Sequence, residues 1–313
     1  GIAANDAKDL VNFIIMTLHE ELNNPDKNNN NANDYTIDQS DKQKVFQNFM
    51  EIFIKNNKSI ISDIFYSSNC SITECSNCHI KLYNYQVYFF IVFPLEEIRK
   101  FKYAQFNQSM NNNINVNMNM NMNMNFYNFM GNNNMMPMYN NFFVPNSMNN
   151  INSINMINNN NIQTPKEVDI LDCFNYETKQ NVMSGSNAMY CNGCKITCDS
   201  YMRTILVTGP DIFILLLNRG KGIEFDVKLN FTEFLDLSNY IEYRDTGYYY
   251  KLIGVITHIG ESGMGGHFIA YCRDPLTDNW HKYNDAIVSD VSDFQNEVIN
   301  FAMPYLLFYQ KIK

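Results

Sequence analysis

The sequence has little positive charge and no basic cluster. Its 313 residues include 23 Lys and Arg against 32 Asp and Glu, which gives a formal net charge of −9. Nucleic-acid binding depends on clustered Lys and Arg that neutralise phosphates. The composition therefore excludes a general nucleic-acid binder, and an acidic surface suits a basic protein partner instead.

Long apolar runs are also missing. The chain opens without the charged and then apolar segment of a secretory signal, and no stretch is apolar over the length that a bilayer requires. We therefore expect a soluble intracellular protein of the cytoplasm, the nucleus or both, with no membrane partner. In such a chain, eight cysteines are more typical of free thiols or metal ligands than of disulfides.

Hydrophobic residues are plentiful enough for a large core, at 45% of the chain with 14% aromatic. Apolar residues recur at helical spacing over 6–22 and around 45–53, whereas aromatic and β-branched residues over 83–94 predict a strand. A short helix is expected at 168–174. Further strands are predicted at 203–207, 212–217, 248–258, 267–273 and 305–310. This mixture predicts an α+β fold.

The composition changes abruptly in the middle of the chain. From 107 to 162 Asn and Met dominate, and the two alternate strictly over 117–124. Such a segment lacks the varied apolar side chains that build a specific core. The alternation could mimic a strand, but a disordered low-complexity insertion is the better interpretation. We expect the insertion 107–162 to separate an N-terminal part, 1–106, from a C-terminal part, 163–313, of one domain.

Two pairs of cysteines have the C-x-x-C spacing of metal-binding knuckles. The four residues are Cys75, Cys78, Cys191 and Cys194. Together they can supply the four thiolates of a structural zinc site, and the insertion between the pairs can loop out at modest entropic cost. A single pair could be coincidental packing, but two pairs favour zinc. Cys198 and His79 adjoin the knuckles and are weaker alternatives as ligands.

A histidine on a predicted strand carries the clearest catalytic signal. His267 follows the glycine-rich turn 260–266, and Asn284 and Asp285 lie on the next segment. An imidazole can take a proton from a thiol, while an amide or carboxylate holds its tautomer, so these residues supply two thirds of a cysteine-hydrolase triad. A lone histidine is more often structural, and we interpret the others in this way: His19, His79, His258 and His281.

The segments around His267 resemble a known family. Their motifs are Gly-His-Phe-Ile-Ala-Tyr at 266–271, Trp-His-Lys-Tyr-Asn-Asp at 280–285 and Pro-Tyr-Leu-Leu-Phe-Tyr at 304–309. They look like the histidine-box region of the ubiquitin-specific proteases, a family of deubiquitinases. The segment 6–22 is similar to the helix after that family's Gln-Gln-Asp-Ala motif, and the residues leading into Cys75 are similar to the approach to its zinc finger.

The resemblance implies a papain-like fold of palm, fingers and an incomplete thumb, with zinc at the base of the fingers. Ubiquitin would be the partner, with its C-terminal tail in the cleft. His267 would be the general base, Asn284 the third triad residue and Asp285 an assisting acid. The reaction would be hydrolysis of the peptide or isopeptide bond after the last glycine of ubiquitin.

One part of the family pattern is missing. The cysteine box, an Asn-x-Cys-Tyr-type segment, would precede the helix at Asp6, and the sequence contains no such segment or its oxyanion-stabilising side chain. Cys272 lies at odd spacing from His267, so the two side chains should point to opposite faces of one strand. Cys70 and Cys173 lack a setting that lowers a thiol pKa. We therefore expect a truncated deubiquitinase, inactive as it stands; the alternative is a ubiquitin-binding or scaffold module without chemistry.

Overall fold

The computed structural model describes residues 6–23, 38–107, 166–220, 226–243, 247–260 and 265–312. The chain divides into one compact unit made of 1–101 and 166–313 and a second made of 102–165, and every sheet belongs to the first. The predicted insertion lies almost entirely outside the described residues, so its disorder and its boundaries stay a prediction.

Five α-helices are described: α1 (Ala7–Leu22), α2 (Lys42–Asn56), α3 (Ile60–Phe65), α4 (95–107) and α5 (Ile170–Glu177). The first three begin after a side chain that accepts a backbone N–H group, from Asp6, Asp41 and Ser59 respectively. The helices predicted from periodicity at 6–22 and 45–53 are therefore confirmed. Across the described part of the chain, no helix combines the length and the hydropathy that crossing a membrane requires.

Sixteen strands complete the first unit. In chain order they are β1 (Ser67–Cys75), β2 (Lys81–Tyr88), β3 (Ile91–Pro94), β4 (Glu167–Asp169), β5 (Asn181–Met183), β6 (Met189–Cys191), β7 (Ile196–Cys198), β8 (Ser200–Leu206), β9 (Ile212–Asn218), β10 (Lys228–Asn230), β11 (Phe234–Asp236), β12 (Tyr249–Ile259), β13 (His267–Arg273), β14 (Trp280–Asn284), β15 (Ile287–Asp290) and β16 (Pro304–Lys311).

The larger sheet has eight strands in the order β15-β14-β13-β12-β16-β9-β3, with β11 beside β12. Its neighbours are antiparallel except β3 and β9, which are parallel. Strand β9 is buried on both faces: Phe213, Leu215 and Leu217 join the main core, whereas Ile214 and Leu216 pack with residues of α1 and α3. This two-sided burial explains why β9 reads as a continuous apolar run rather than an alternating one.

The smaller sheet has four antiparallel strands in the order β2-β1-β8-β5. Helix α2 packs Val45 against Cys70, Ile72 and Tyr85 of this sheet. The hairpin of β6 and β7 follows β5 in the chain. The first cysteine pair begins at the end of β1, and the second begins at the end of β6 and runs into the turn of this hairpin.

The single strand predicted over 83–94 is wrong in one respect. Strand β2 ends at Tyr88 in the smaller sheet, and β3 begins at Ile91 in the larger one. Between them the rings of Phe89 and Phe90 pack edge to face at 4.7 Å. Periodicity cannot detect this break, because the side chains stay apolar while the chain changes sheets. The mixed α+β class predicted from the sequence is confirmed.

Candidate active site and metal centre

His267 and Asn284 meet at one end of two paired strands. His267 is the first residue of β13 and Asn284 the last of β14, and these strands run antiparallel. Nε2 of His267 lies 2.6 Å from Oδ1 of Asn284. Because an amide oxygen can only accept, the contact places a proton on Nε2 and leaves Nδ1 as the basic nitrogen. The His267 side chain is 44% exposed.

Asp285 lies beside the same ring but does not contact it closely. Its Oδ2 is 3.8 Å from Nε2 of His267, and its side chain is 82% exposed. The backbone of Asp285 has φ +52°, a left-handed conformation that turns the chain from β14 into β15. A carboxylate this exposed contributes only a weak field at the ring, whereas Asn284 is within hydrogen-bonding distance of it.

A second contact near this site joins the two ends of the described chain. The hydroxyl of Tyr305 lies 2.7 Å from each carboxylate oxygen of Asp6, the residue that begins α1. Burial, reinforced by Asp6, raises the pKa of Tyr305. The Tyr305 ring packs against Phe268 at 5.2 Å, so this contact ties α1 to the strand of His267. The pair could not be predicted from the sequence, because nothing in either segment indicates that the two residues meet.

The cysteines outside the two knuckles occupy other environments. Cys272 lies opposite Gly254 and His281 in the sheet, on the face opposite that of His267, as its odd spacing predicts. Desolvation by neighbouring groups raises the pKa of the Cys272 thiol, although the residue is exposed, and burial raises the pKa of the Cys70 thiol. Cys173 is fully buried in the main core. None of these thiols has the lowered pKa or the position of a nucleophile for His267.

The two cysteine pairs converge on one point. Their four Sγ atoms all lie within 4.8 Å of one another, and they belong to Cys75, Cys78, Cys191 and Cys194. The Sγ atoms of Cys75 and Cys194 are 3.8 Å apart, and those of Cys78 and Cys191 are 3.5 Å apart. A tetrahedral zinc ion with Zn–S bonds of about 2.3 Å separates its sulfur ligands by about 3.8 Å. The donor set and its dimensions therefore fit a metal ion such as zinc.

Both knuckles use the same backbone geometry. The residues that follow them, His79 and Lys195, have φ of +57° and +59°. Each returns its N–H to the first cysteine of its pair, at 3.0 Å to the Cys75 oxygen and 2.8 Å to the Cys191 oxygen. The turn directs the His79 ring away from the cluster, where Nδ1 lies 3.2 Å from Oε1 of Glu74. His79 is thus placed as a surface residue and not as a ligand.

The local electrostatics of the cluster also suit a cation. Hydrogen bonds from the backbone N–H groups of Cys78 and Asn77 lower the pKa of the Cys75 thiol to about 6. The neighbouring Cys78 side chain, together with desolvation, raises the pKa of Cys194. Thiolates so close to one another repel, and the full set ionises readily only around a positive ion. Cys198 packs beside the cluster and accepts an N–H from Asn77 at 3.5 Å, outside the group of four.

Comparisons with known proteins decide the family. A family model described as ubiquitin carboxyl-terminal hydrolase matches residues 1–309. This chain belongs to that family. Ubiquitin carboxyl-terminal hydrolase 2 of Bos taurus is 33% identical over 150 residues, which cover 46% of this chain and 24% of the relative. Ubiquitin carboxyl-terminal hydrolase 48 of Rattus norvegicus is 30% identical over 132 residues, which cover 40% of this chain and 12% of the relative.

Solved structures of this family show the same fold. A chain of the yeast SAGA DUB module aligns with 98% of this chain and 51% of its own length, with a TM-score of 0.59 and 18% identity. A SAGA DUB module bound to monoubiquitin aligns with 87% of this chain and 46% of its own, with a TM-score of 0.52 and 17% identity. The α+β, papain-like fold expected of a ubiquitin-specific protease is therefore confirmed, and the chain spans about half the length of these structures.

Proposed function

We propose that this chain is part of the catalytic domain of a deubiquitinase. Its reaction is hydrolysis of the peptide or isopeptide bond after the C-terminal glycine of ubiquitin, and ubiquitin or a ubiquitinated protein is its partner. The observation that supports the proposal most strongly is the 2.6 Å contact between His267 and Asn284. It prepares an imidazole for proton transfer on a fold that this family uses for ubiquitin hydrolysis.

The chemistry follows from the tautomer that Asn284 imposes. Nδ1 of His267 removes the proton from a cysteine thiol, and the thiolate attacks the carbonyl carbon of the terminal glycine. As the C–N bond breaks, the same nitrogen returns the proton to the leaving amine. Water then hydrolyses the thioester, with His267 again acting as base. Asn284 keeps the ring aligned throughout, and Asp285 adds a weak stabilisation of the transient imidazolium.

The nucleophile is proposed to come from outside these 313 residues. All eight cysteines of the sequence lie among the described residues: four form the metal cluster, Cys198 packs beside it, Cys70 and Cys173 lie in the apolar core, and Cys272 lies on the face of β13 opposite His267. We infer that a cysteine-bearing segment, together with an oxyanion donor, completes the site. The chain alone should therefore lack peptidase activity.

The metal cluster has a separate, structural role in this proposal. Four thiolates leave no open position on a tetrahedral zinc ion, so the ion would hold the smaller sheet and the β6–β7 hairpin together rather than take part in hydrolysis. The ligands would be the four cysteines of the two knuckles. Zinc supplies no step of the reaction described above.

A binding module without chemistry is the second candidate. It would keep the fold and the zinc cluster, but it has no need of an aligned histidine and amide, which is why we favour the enzyme. A fluorogenic amide of the ubiquitin C terminus distinguishes the two candidates when the chain is joined to a cysteine-bearing segment. The enzyme should then cleave it and lose this activity in His267→Ala, whereas a binding module should not cleave it; cleavage that survives His267→Ala would contradict the proposed mechanism.

A further inference from the structure

His258 lies on the strand next to that of His267, the proposed catalytic base. It belongs to β12, opposite Phe268 of β13, and is one residue before the Ile259–His267 pair that ends the ladder between these strands. Its ring packs edge-on against the Phe268 ring at 5.0 Å. The sequence analysis gave His258 only a general structural role, because its motif does not show where the ring points.

The same ring occupies the space beside Gly266. A Cβ atom at Gly266 would lie 2.3 Å from Cε1 and 2.4 Å from Nε2 of His258, distances that no side chain tolerates. A Cβ at Gly260, where φ is +147°, would lie 3.2 Å from the same Cε1. Gly260 and Gly266 therefore both approach the His258 ring. Glycine at 266 is thus required both by the His258 ring and by the backbone oxygen of Ile259, which would lie 2.4 Å from the same Cβ position.

We propose that His258 is a positioning residue for His267. His267 lies in the last pair of its ladder, where the backbone has fewer restraints than in the strand interior. The residue before it, Gly266, and the residue after it, Phe268, both pack against the His258 ring. That ring therefore fixes the direction in which His267 leaves the strand and so the alignment of Nε2 with Asn284. The inference rests on the proposed role of His267 as base.

The charge state of His258 agrees with this packing role. Burial lowers the pKa of His258, and the guanidinium of Arg219, beyond the end of β9, lowers it further, whereas Asp6 at the start of α1 raises it. The ring is therefore neutral at neutral pH. A neutral imidazole packs against an aromatic ring and glycine backbone without the cost of burying a charge.

Nitrogen NMR of the histidines tests the inference on the whole 313-residue chain, and it needs no activity. In the parent protein the two ring nitrogens of His267 should give well-separated signals, one protonated and one not. His258→Ala should bring these signals together, because loss of alignment with Asn284 lets the two tautomers exchange. His258→Phe keeps a ring in the same space and should preserve the separation. The matched control is His281→Ala, since His281 pairs with Asp290 at the surface and does not contact Gly266.

Two results would overturn the inference, and they are distinguishable from failure of the proposed function. Unchanged separation of the His267 signals in His258→Ala shows that the ring does not position it. Should that variant unfold, as judged from the His19 and His281 signals, His258→Gln repeats the measurement with a side chain that lacks the ring, and unchanged separation there is equally decisive. A parent protein without a protonated Nε2 on His267 instead contradicts the tautomer on which the proposed function depends.

Discussion

The imidazole of His267 donates from Nε2 to Oδ1 of Asn284 over 2.6 Å, and this contact joins the first residue of β13 to the last residue of β14. Antiparallel pairing brings these two strand ends together, although 17 positions separate the residues in the sequence. Both residues end strands that pair directly, so the sheet brings the ring and its amide partner together. Asp285, one residue further on, has turned away into solvent.

The last residue of β14 and the residue that follows it should differ sharply in their effect on catalysis. In the chain joined to the cysteine-bearing segment, Asn284→Ala should lower kcat by about 10²–10⁴-fold, the range typical of general acid–base alignment. Asp285→Ala should lower it by no more than about fivefold, because an exposed ion pair contributes ~1 kcal/mol or less. Rates with a ubiquitin-tail amide check both. Equal losses in the two variants would show that Asp285, and not Asn284 alone, orients the ring.

Metal analysis should find about one zinc ion per chain, as expected for a four-cysteine site. Replacing Cys75 and Cys191 together by Ser removes one ligand from each knuckle and should abolish the bound metal. Cys272→Ser is the matched control, since that thiol lies on the larger sheet and should leave the zinc content unchanged. Full zinc content in the double variant would show that the metal is bound at other residues.

The contact between Tyr305 and Asp6 predicts a loss of stability at alkaline pH. A raised folded-state pKa contributes stability that is complete below the unfolded value, about 10 for tyrosine, and is lost as the pH rises through the folded value. Tyr305→Phe should cost about 1–3 kcal/mol at pH 8, because Asp6 loses its hydroxyl donor. The thermal midpoint of the variant should then fall less steeply above pH 10 than that of the parent. Parallel curves for the two proteins would show that the pair does not titrate as described.

The core around β9 should be intolerant of truncation. Leu215 is fully buried, and it lies opposite Leu307 of β16 on one side and Ile91 of β3 on the other. Leu215→Ala should therefore destabilise the chain by about 2–5 kcal/mol, through lost apolar burial and the cavity left behind. Leu276→Ala is the control, because that side chain is 93% exposed and should change the free energy of unfolding by less than about 0.5 kcal/mol. Denaturant unfolding measures both.

Local patterns in the sequence were sufficient to predict several parts of the structure. Helix α1, the C-x-x-C knuckles and the strand that begins at His267 all follow from spacing over a few residues, and the structure places each of them as expected. The change of sheet between Tyr88 and Ile91 could not be predicted, because both segments are apolar and β-prone. Local sequence carries no information about which strand a β-prone segment will pair with.

Contacts between segments that are distant in the sequence could not be predicted either. Tyr305 and Asp6 are 299 positions apart, and neither motif indicates the other. The place of His258 against Gly266 depends on how two neighbouring strands are aligned, which a histidine in an alternating strand does not reveal. The left-handed turn at Asp285, which separates the roles of two adjacent residues, likewise depends on the hairpin that follows.

The most direct test of the account joins this chain to the segment encoded immediately upstream of Gly1 and measures hydrolysis of a ubiquitin C-terminal amide. We expect cleavage in the joined protein, a loss of about 10²–10⁴-fold in His267→Ala, as for removal of a general base, and near-parental rates in His281→Ala. Equal rates in the two histidine variants would contradict the assignment of His267 as the catalytic base.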